Sequence, residues 1–218
     1  FFPQNKKINF KEILNSIGNS CKNLNRKNID LIQIHNANKK IFQNSSLKIF
    51  LNKLKKKKII KKIGATLYTE QEAIAAIKCK WIDTIQVPYN ILNQKMHKRV
   101  FILAKKNRIK IFTRSTFLKG VLTEKLYLVP KKLKPIRKNI EKNLKKLSLN
   151  IDQLKFTAFK FSSSNRYIDS IVLGVDKIEQ LEELIDLKKI NFYKKYLNRL
   201  SIFDLKSKLS DPRLWPFI

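Results

Sequence analysis

The sequence has few cysteines and glycines, and it lacks a long apolar run. Its two cysteines, Cys21 and Cys79, lie in no Cys-x-x-Cys or His-rich spacing. This usage fits a reduced, cytoplasmic protein and predicts no structural metal. The four glycines do not form the Gly-rich fingerprint that opens a Rossmann fold. Because no apolar run reaches the length of a membrane span and the first residues form no signal peptide, we expect no membrane association.

Acidic residues are also scarce, since 16 Asp and Glu stand against 48 Lys and Arg and leave a formal charge of +32. Such a charge is typical of proteins that bind nucleic acid. The excess is nearly all lysine, however, and it is spread along the chain with Asn and Ile, as codon bias in an AT-rich genome would produce. Proteins that recognise phosphates usually cluster arginine and interleave aromatic residues. We therefore predict no nucleic-acid partner, with an electrostatic binding protein as an alternative of another class.

Short apolar runs alternate with helical patterns along the chain. The expected strands are Ile29–Ile34, Ile59–Ala65, Trp81–Val87, Arg108–Thr113 and Ile168–Leu173. Capping boxes, in which a capping residue precedes Glu or Gln by three positions, begin at Asn9, Thr69, Asn150 and Asp176. A last amphipathic helix is expected over 191–209. The alternation is that of βα units, which predicts an α/β fold with a parallel sheet and outer helices.

Five strands are fewer than a closed eight-stranded barrel requires, and such barrels typically need about 250 residues. The sequence thus predicts either an open five-stranded sheet or a barrel whose first three βα units precede Phe1. We expect a single domain over residues 1–218, in which 188–218 form a C-terminal helix and tail.

Polar residues follow the apolar runs, at the strand ends where parallel α/β folds build their active sites. In chain order these segments read Ile34-His35, Gly64-Ala65-Thr66, Gln86-Val87-Pro88-Tyr89-Asn90, Arg114-Ser115 with Gly120-Val121-Leu122, and Leu173-Gly174-Val175-Asp176. In this order and at this spacing, they resemble the aldo-keto reductase family over about residues 9–187. The resemblance implies a partial (β/α)8 TIM barrel, represented here by its last five units.

The resemblance also implies an NAD(P)H-dependent oxidoreductase that reduces a small-molecule aldehyde or ketone to an alcohol. His35 matches the active-site histidine, which orients and polarises the carbonyl. The positions that match cofactor contacts are Thr66, Gln86, Arg114, Ser115, Gly174, Val175, Asp176, Gln180 and Glu183. The implied cofactor is NADP(H), or alternatively NAD(H). The substrate and the oligomeric state are left open.

Some residues depart from the family pattern or have a simpler explanation. Leu67 and Leu184 stand where the family commonly has Asn, and Arg114 stands where many members place an aromatic residue. From its position alone, His35 is equally well explained as a structural histidine. The family's catalytic aspartate, tyrosine and lysine would precede Phe1, so we expect this chain alone to be inactive. A non-catalytic, nucleotide-binding relic of the same barrel is the alternative function.

Overall fold

The computed structural model describes residues 8–190, 198–205 and 208–215. The strands are β1 (Ile29–Ile34), β2 (Ile60–Thr66), β3 (Thr84–Pro88), β4 (Lys110–Arg114) and β5 (Ser170–Ile171). The helices are α1 (Phe10–Asn23), α2 (Lys39–Phe42), α3 (Ser45–Lys56), α4 (Glu70–Lys78), α5 (Ile102–Lys106), α6 (Lys134–Lys146), α7 (Asp152–Ser163) and α8 (Ile178–Lys189). A π-helix, His97–Phe101, leads directly into α5, and short 3-10 turns occur at Glu124–Leu128, Lys131–Leu133, Leu200–Phe203, Lys208–Ser210 and Pro212–Leu214.

The strands lie in the sheet in chain order, β1-β2-β3-β4-β5. β1 and β2 pair in parallel with Ile34 opposite Ala65, and β2 and β3 pair in parallel with Thr66 opposite Gln86. Strand order that follows chain order requires a crossover between each pair of parallel strands, and helices supply these crossovers. The structure confirms the predicted α/β class with five parallel strands.

The described residues belong to two compact units. The first unit comprises Phe1–Val87 and Lys98–Phe112, and the second comprises Pro88–His97 and Thr113–Ile218. In the first unit the backbone N–H of Lys110 donates to Asp83 O at 3.1 Å, and in the second the N–H of Val172 donates to Thr113 O at 2.7 Å. The expectation of one domain with a C-terminal segment over 188–218 stays a prediction.

The core of the first unit lies between β2 and β3 and one face of each neighbouring helix. On α3 the buried residues are Leu47, Leu51 and Leu54, which recur at helical spacing. Asp83, just before β3, adds a polar tie, because its carboxylate contacts Lys55 Nζ at 2.7 Å and accepts from the Ile63 N–H at 2.8 Å. The apolar face of α3 and this ion pair hold the helix against the sheet.

Two of the four predicted capping boxes form in full, and a third forms in part. Thr69 accepts from the Glu72 N–H at 3.2 Å, and the Glu72 carboxylate accepts from the Thr69 N–H at 3.0 Å. Asn150 and Gln153 exchange the same pair of bonds at 3.0 and 2.9 Å. Asn9 also accepts from the Glu12 N–H at 3.3 Å, although the Glu12 carboxylate accepts from the Asn9 side chain. The box predicted at Asp176 is wrong, because α8 begins two residues later, at Ile178.

Several element boundaries differ from the sequence prediction. β3 begins at Thr84 and not at Trp81, because Lys80 adopts φ +61° and Trp81 Nε1 donates to Phe42 O at 3.3 Å. β5 has only the two residues Ser170–Ile171. The helix predicted over 191–209 lies partly outside the described residues; of those described, 198 and 199 are helical, and Leu200–Phe203 and Lys208–Ser210 form 3-10 turns. α2 was not predicted, and the single helix expected over about Lys95–Lys106 is a π-helix followed by α5.

Candidate functional site

In the first unit, three of the predicted site residues follow neighbouring strands. His35 lies in the turn after β1, Thr66 ends β2, and Gln86 lies in β3 directly opposite Thr66. The Thr66 hydroxyl oxygen is 3.4 Å from Gln86 Oε1. The turn after β1 is fixed to β2 because the Ala37 N–H donates to Thr66 O at 3.2 Å. These three predicted residues therefore occupy the same end of adjacent strands.

The three side chains differ in their exposure. His35 is exposed and Gln86 is half-buried, whereas Thr66 is only 4% exposed. Asn36, next to His35, adopts φ +50°, a left-handed conformation that Asn tolerates better than most residues. An imidazole, a hydroxyl and an amide at the same end of adjacent strands can offer directed hydrogen bonds to a neutral polar group.

Just before these strand ends, the three neighbouring strands pack tightly around Gly64. A Cβ atom at Gly64 would lie 2.3 Å from Thr84 Oγ1 and 3.0 Å from Gln33 Oε1, so any larger residue here would force Thr84 to shift. In the described part of the chain, Gln33 Oε1 and Thr84 Oγ1 are buried and have no hydrogen-bond partner. An unpaired buried polar atom costs free energy. Its presence therefore calls for an explanation, such as a role at a nearby functional site.

In the second unit, Asn90 fixes the residue that follows β4. Asn90 is fully buried, and its Nδ2 donates to Ser115 O at 2.9 Å while its Oδ1 accepts from the Leu92 N–H at 3.0 Å. The Tyr89 N–H donates to Arg114 O at 3.1 Å, and Arg114 Nη1 donates to Ser115 Oγ at 3.3 Å. The role of Asn90 is thus to position Ser115, which turn chemistry alone does not reveal.

The loop that begins at Ser115 is conformationally strained. Ser115, Leu118 and Lys119 adopt φ values of +64°, +48° and +55°, and Gly120 adopts +85°. Left-handed conformations cost roughly 1–3 kcal/mol at non-glycine residues and cluster at functional sites. The Leu122 N–H donates to Phe117 O at 3.1 Å and closes the loop. Residues 115–120 therefore form a strained loop, which its surroundings hold in one shape.

A cavity of about 390 Å³ lies beside this loop in the second unit. Its lining includes five of the predicted cofactor-binding residues, which are Ser115, Gly174, Val175, Asp176 and Gln180. The other four residues with the same predicted role are not part of the lining; they are Arg114 and Glu183 in this unit and Thr66 and Gln86 in the first. The structure therefore brings most of the predicted phosphate- and adenosine-binding segment to one concave surface.

The start of α8 forms one wall of the cavity. The Asp176 N–H donates to Gln180 Oε1 at 2.9 Å, so Asp176 lies outside the helix, whose N-cap is Lys177 with no side-chain cap hydrogen bond. This is why the predicted capping box at Asp176 is absent. Backbone N–H groups at a helix start attract anions when no side chain caps them. An added Cβ at Gly174 would meet nothing within 4 Å, so there is open space at this turn.

The cavity also contains residues that the sequence does not single out. Lys119, Lys125 and Lys155 line it, as does Thr116, whose hydroxyl is buried and makes no hydrogen bond with the described residues. Because the chain contains so many lysines, the sequence alone does not indicate that these three have a role. Only the fold shows that three cationic side chains line the same cavity as the open turn before α8.

Tyr89 belongs to a polar cluster in the second unit, away from the cavity lining. Asn165 Nδ2 lies 3.0 Å from Tyr89 Oη and 3.0 Å from His97 Nδ1. Burial raises the pKa of Tyr89 to about 12, against the smaller opposing effect of the Asn165 hydrogen bond. Tyr89 therefore stays protonated at neutral pH and is a poor acid for proton transfer.

Metal-binding clusters and membrane-spanning helices do not occur among the described residues. Over 8–190, 198–205 and 208–215, no group of three or more His, Cys, Asp or Glu side chains is arranged to hold a metal ion. Within those ranges, no helix is long and apolar enough to cross a membrane.

Comparisons with known proteins give one family. The aldo/keto reductase family model matches residues 3–204. Among solved structures, the holo form of an aldo-keto reductase from Bacillus halodurans superposes with a TM-score of 0.72 at 17% identity, covering 93% of this chain and 70% of that one. Its apo form gives a TM-score of 0.70 at 15% identity, covering 90% and 69%.

A thermostable aldo-keto reductase in complex with the inhibitor epalrestat gives a TM-score of 0.65 at 19% identity. This match covers 88% of this chain and 66% of that one. At such identities the structural matches show the fold alone, and they confirm a partial TIM barrel. The search of curated proteins found no match.

Proposed function

The chain belongs to the aldo/keto reductase family, and on that basis we propose that it carries the cofactor and carbonyl sites of an NAD(P)H-dependent carbonyl reductase. One observation carries the proposal, namely that five residues matching the family's cofactor positions line one cavity in the second unit. Family membership supports oxidoreductase chemistry. The choice of cofactor, the substrate and the completeness of the active site are the proposed parts.

The cavity fits the phosphate-bearing end of a dinucleotide. Gly174 leaves open space at the turn, the first N–H groups of α8 have no side-chain cap, and three lysines lie in the lining. Open space, uncapped N–H groups and cations are the features that anion sites combine. We propose NADP(H) as the cofactor because Lys119 and Lys125 in the lining favour the additional phosphate, with NAD(H) as the alternative. Ser115, Gly174, Val175, Asp176 and Gln180 would hold this end, with Arg114 beside Ser115.

The strand ends of the first unit would hold the reacting groups. Thr66 and Gln86 lie opposite each other, and their hydroxyl and amide can fix the carboxamide of a nicotinamide ring. His35, exposed next to them, would orient the substrate carbonyl by donating a hydrogen bond. When bound, the nicotinamide supplies the hydride. Reduction also needs a proton, and Tyr89 does not supply it because its pKa is about 12. We propose that the acid lies in sequence upstream of Phe1.

The proposal is tested in the full-length protein that carries these residues. We expect His35→Ala to lower kcat/KM for an aldehyde by roughly 10²-fold or more, the usual range for a positioned proton-transfer group, with little change in cofactor affinity. Gln86→Ala should mainly weaken NADPH binding, measured by fluorescence titration. His97→Gln, at the chain's other histidine, is the control and should leave kcat/KM nearly unchanged. An indifferent His35→Ala protein would contradict the assignment.

The second candidate is a nucleotide-binding relic without catalysis. The cavity lined by five cofactor-matching residues, together with a Tyr89 too buried to act as the acid, favours it over an electrostatic binding protein. A relic would bind NADPH but reduce no carbonyl compound, whereas an electrostatic binder would show affinity for nucleic acid that falls steeply with salt. The low cysteine usage supports the further proposal of a cytoplasmic location.

A further inference from the structure

We propose that Lys155 is a positioning residue that holds α8 against the cavity through its ion pair with Glu183. The sequence gives Lys155 no role, and it differs from the residues assigned to the cofactor above. The inference rests on the proposed function, because the ligand of the cavity is taken to be a nicotinamide dinucleotide.

α8 has little apolar contact of its own. Of its twelve residues only Leu184 is buried, at 8% exposure. Ile178, Leu181 and Ile185 are 62%, 42% and 49% exposed. Apolar burial stabilises by about 25 cal/mol per Å², so a helix with one buried side chain gains little from it. Polar contacts therefore contribute a large share of what fixes the position of α8.

Two lysines of α7 supply such contacts. Lys155 Nζ contacts Glu183 Oε2 in the middle of α8, and Lys160 Nζ donates to Lys188 O at 3.0 Å near its end. The Lys155 and Glu183 side chains are 19% and 45% exposed, against 72% and 69% for Lys189 and Asp186, which pair within α8. Because solvent screens exposed pairs most, the Lys155–Glu183 pair is the stronger of the two.

Lys155 also connects this pair to the binding surface. It lines the 390 Å³ cavity and a second cavity of about 190 Å³, which Glu183 and Glu124 line as well. In the second cavity Lys155 is the sole cation among the described lining residues. On the other side, α8 carries Gln180, which accepts from the Asp176 N–H and shapes the turn at Gly174. Loss of the ion pair would therefore free α8 and disturb the turn that faces the ligand.

The test uses the full-length protein and titration with NADPH and with NADH, followed by protein and cofactor fluorescence. We expect Lys155→Met and Glu183→Gln each to raise the Kd of both cofactors about fivefold or more, the lower end of the usual coupling between sites. Lys155→Arg should retain binding. The double variant Lys155→Glu with Glu183→Lys reverses the pair and should restore the Kd to within about twofold. In an active protein, KM for the cofactor should rise while kcat stays constant.

Two controls separate a specific effect on cofactor binding from a general loss of stability. Lys189→Met breaks the exposed pair on α8 and should leave both Kd values unchanged, while thermal unfolding reports the stability of each variant. If the reversed pair fails to restore binding, Lys155 does not act through Glu183 and the inference is wrong. Unchanged affinity in Lys155→Met overturns it as well. Failure of the unaltered protein to bind any dinucleotide would instead contradict the proposed function.

Discussion

Burial removes the Tyr89 hydroxyl from acid–base chemistry at neutral pH. The residue is 3% exposed, and its pKa is raised to about 12, chiefly because the phenolate would be desolvated. We expect one of the six tyrosines to titrate near pH 12 in an absorbance titration at alkaline pH, and Tyr89→Phe to remove that step. A Tyr89 that ionises near pH 10 would contradict the burial argument.

The raised pKa of Tyr89 also makes the stability of the folded protein depend on pH. Between pH 10 and 12 the unfolded chain loses the tyrosine proton while the folded chain keeps it, so the folded state binds more protons and stability falls as pH rises. The loss reaches about 2–3 kcal/mol for a shift of this size. Comparison with Tyr89→Phe over the same pH range isolates this effect from the ionisation of lysines.

Residues at strand ends were predictable from the sequence, and Gln180 on α8 was predicted through the family resemblance, whereas Lys155 on α7 was not. His35, Thr66 and Gln86 follow apolar runs, and the carboxyl ends of parallel strands meet at one edge. Lys155 has no such signal, because its partner Glu183 is 28 residues away and the pairing depends on how α7 packs on α8. Sequence pattern finds residues whose place follows from the strand they end, and it misses those placed by packing.

Among the elements, local capping chemistry explains both the correct and the wrong predictions. At Thr69 and Asn150 the cap and its partner three residues later satisfy each other, so the helix start is encoded locally. At Asp176 the backbone N–H instead bonds the Gln180 side chain, which moves the start of α8 to Ile178. The π-helix His97–Phe101 has no short-range sequence signature, and such segments are often associated with functional sites.

Gly120, in the strained loop 115–120, and Gly174, in the turn before α8, are expected to matter for different reasons. Gly120 has φ +85°, so Gly120→Ala should destabilise the protein by about 1–2 kcal/mol, the cost of a left-handed side-chain-bearing residue. Gly174 has no such φ and open space around it, so Gly174→Ala should leave the melting temperature unchanged but weaken NADPH binding. Thermal unfolding and cofactor titration of both variants check this.

Gly18→Ala is the matched control, because Gly18 lies inside α1 with nothing within 4 Å of an added Cβ. It should stabilise the protein by about 0.5–1 kcal/mol and leave cofactor affinity unaltered. If Gly174→Ala bound NADPH as tightly as Gly18→Ala does, the turn before α8 would not face the cofactor.

For the whole molecule, the order of the five short motifs indicated the family, which no single motif does. Each motif is degenerate, yet their succession and spacing indicated the family that the match over residues 3–204 confirms. Structural neighbours at 15–19% identity retain the fold, because a parallel sheet needs apolar strands and amphipathic helices and not particular residues. The two compact units were not predicted, since both β3 and β4 contribute residues to each of them and no break in composition marks a boundary.

The last prediction concerns the 218 residues produced by themselves. β1 and β5 are the edges of the sheet, β5 has two residues, and α8 exposes Ile178, Leu181 and Ile185. Unpaired edges and exposed apolar side chains promote self-association. We expect this chain alone to aggregate or to unfold without a cooperative transition, and to reduce no carbonyl compound. Light scattering and denaturant unfolding of these residues test this, and a soluble monomer that unfolds cooperatively would contradict it.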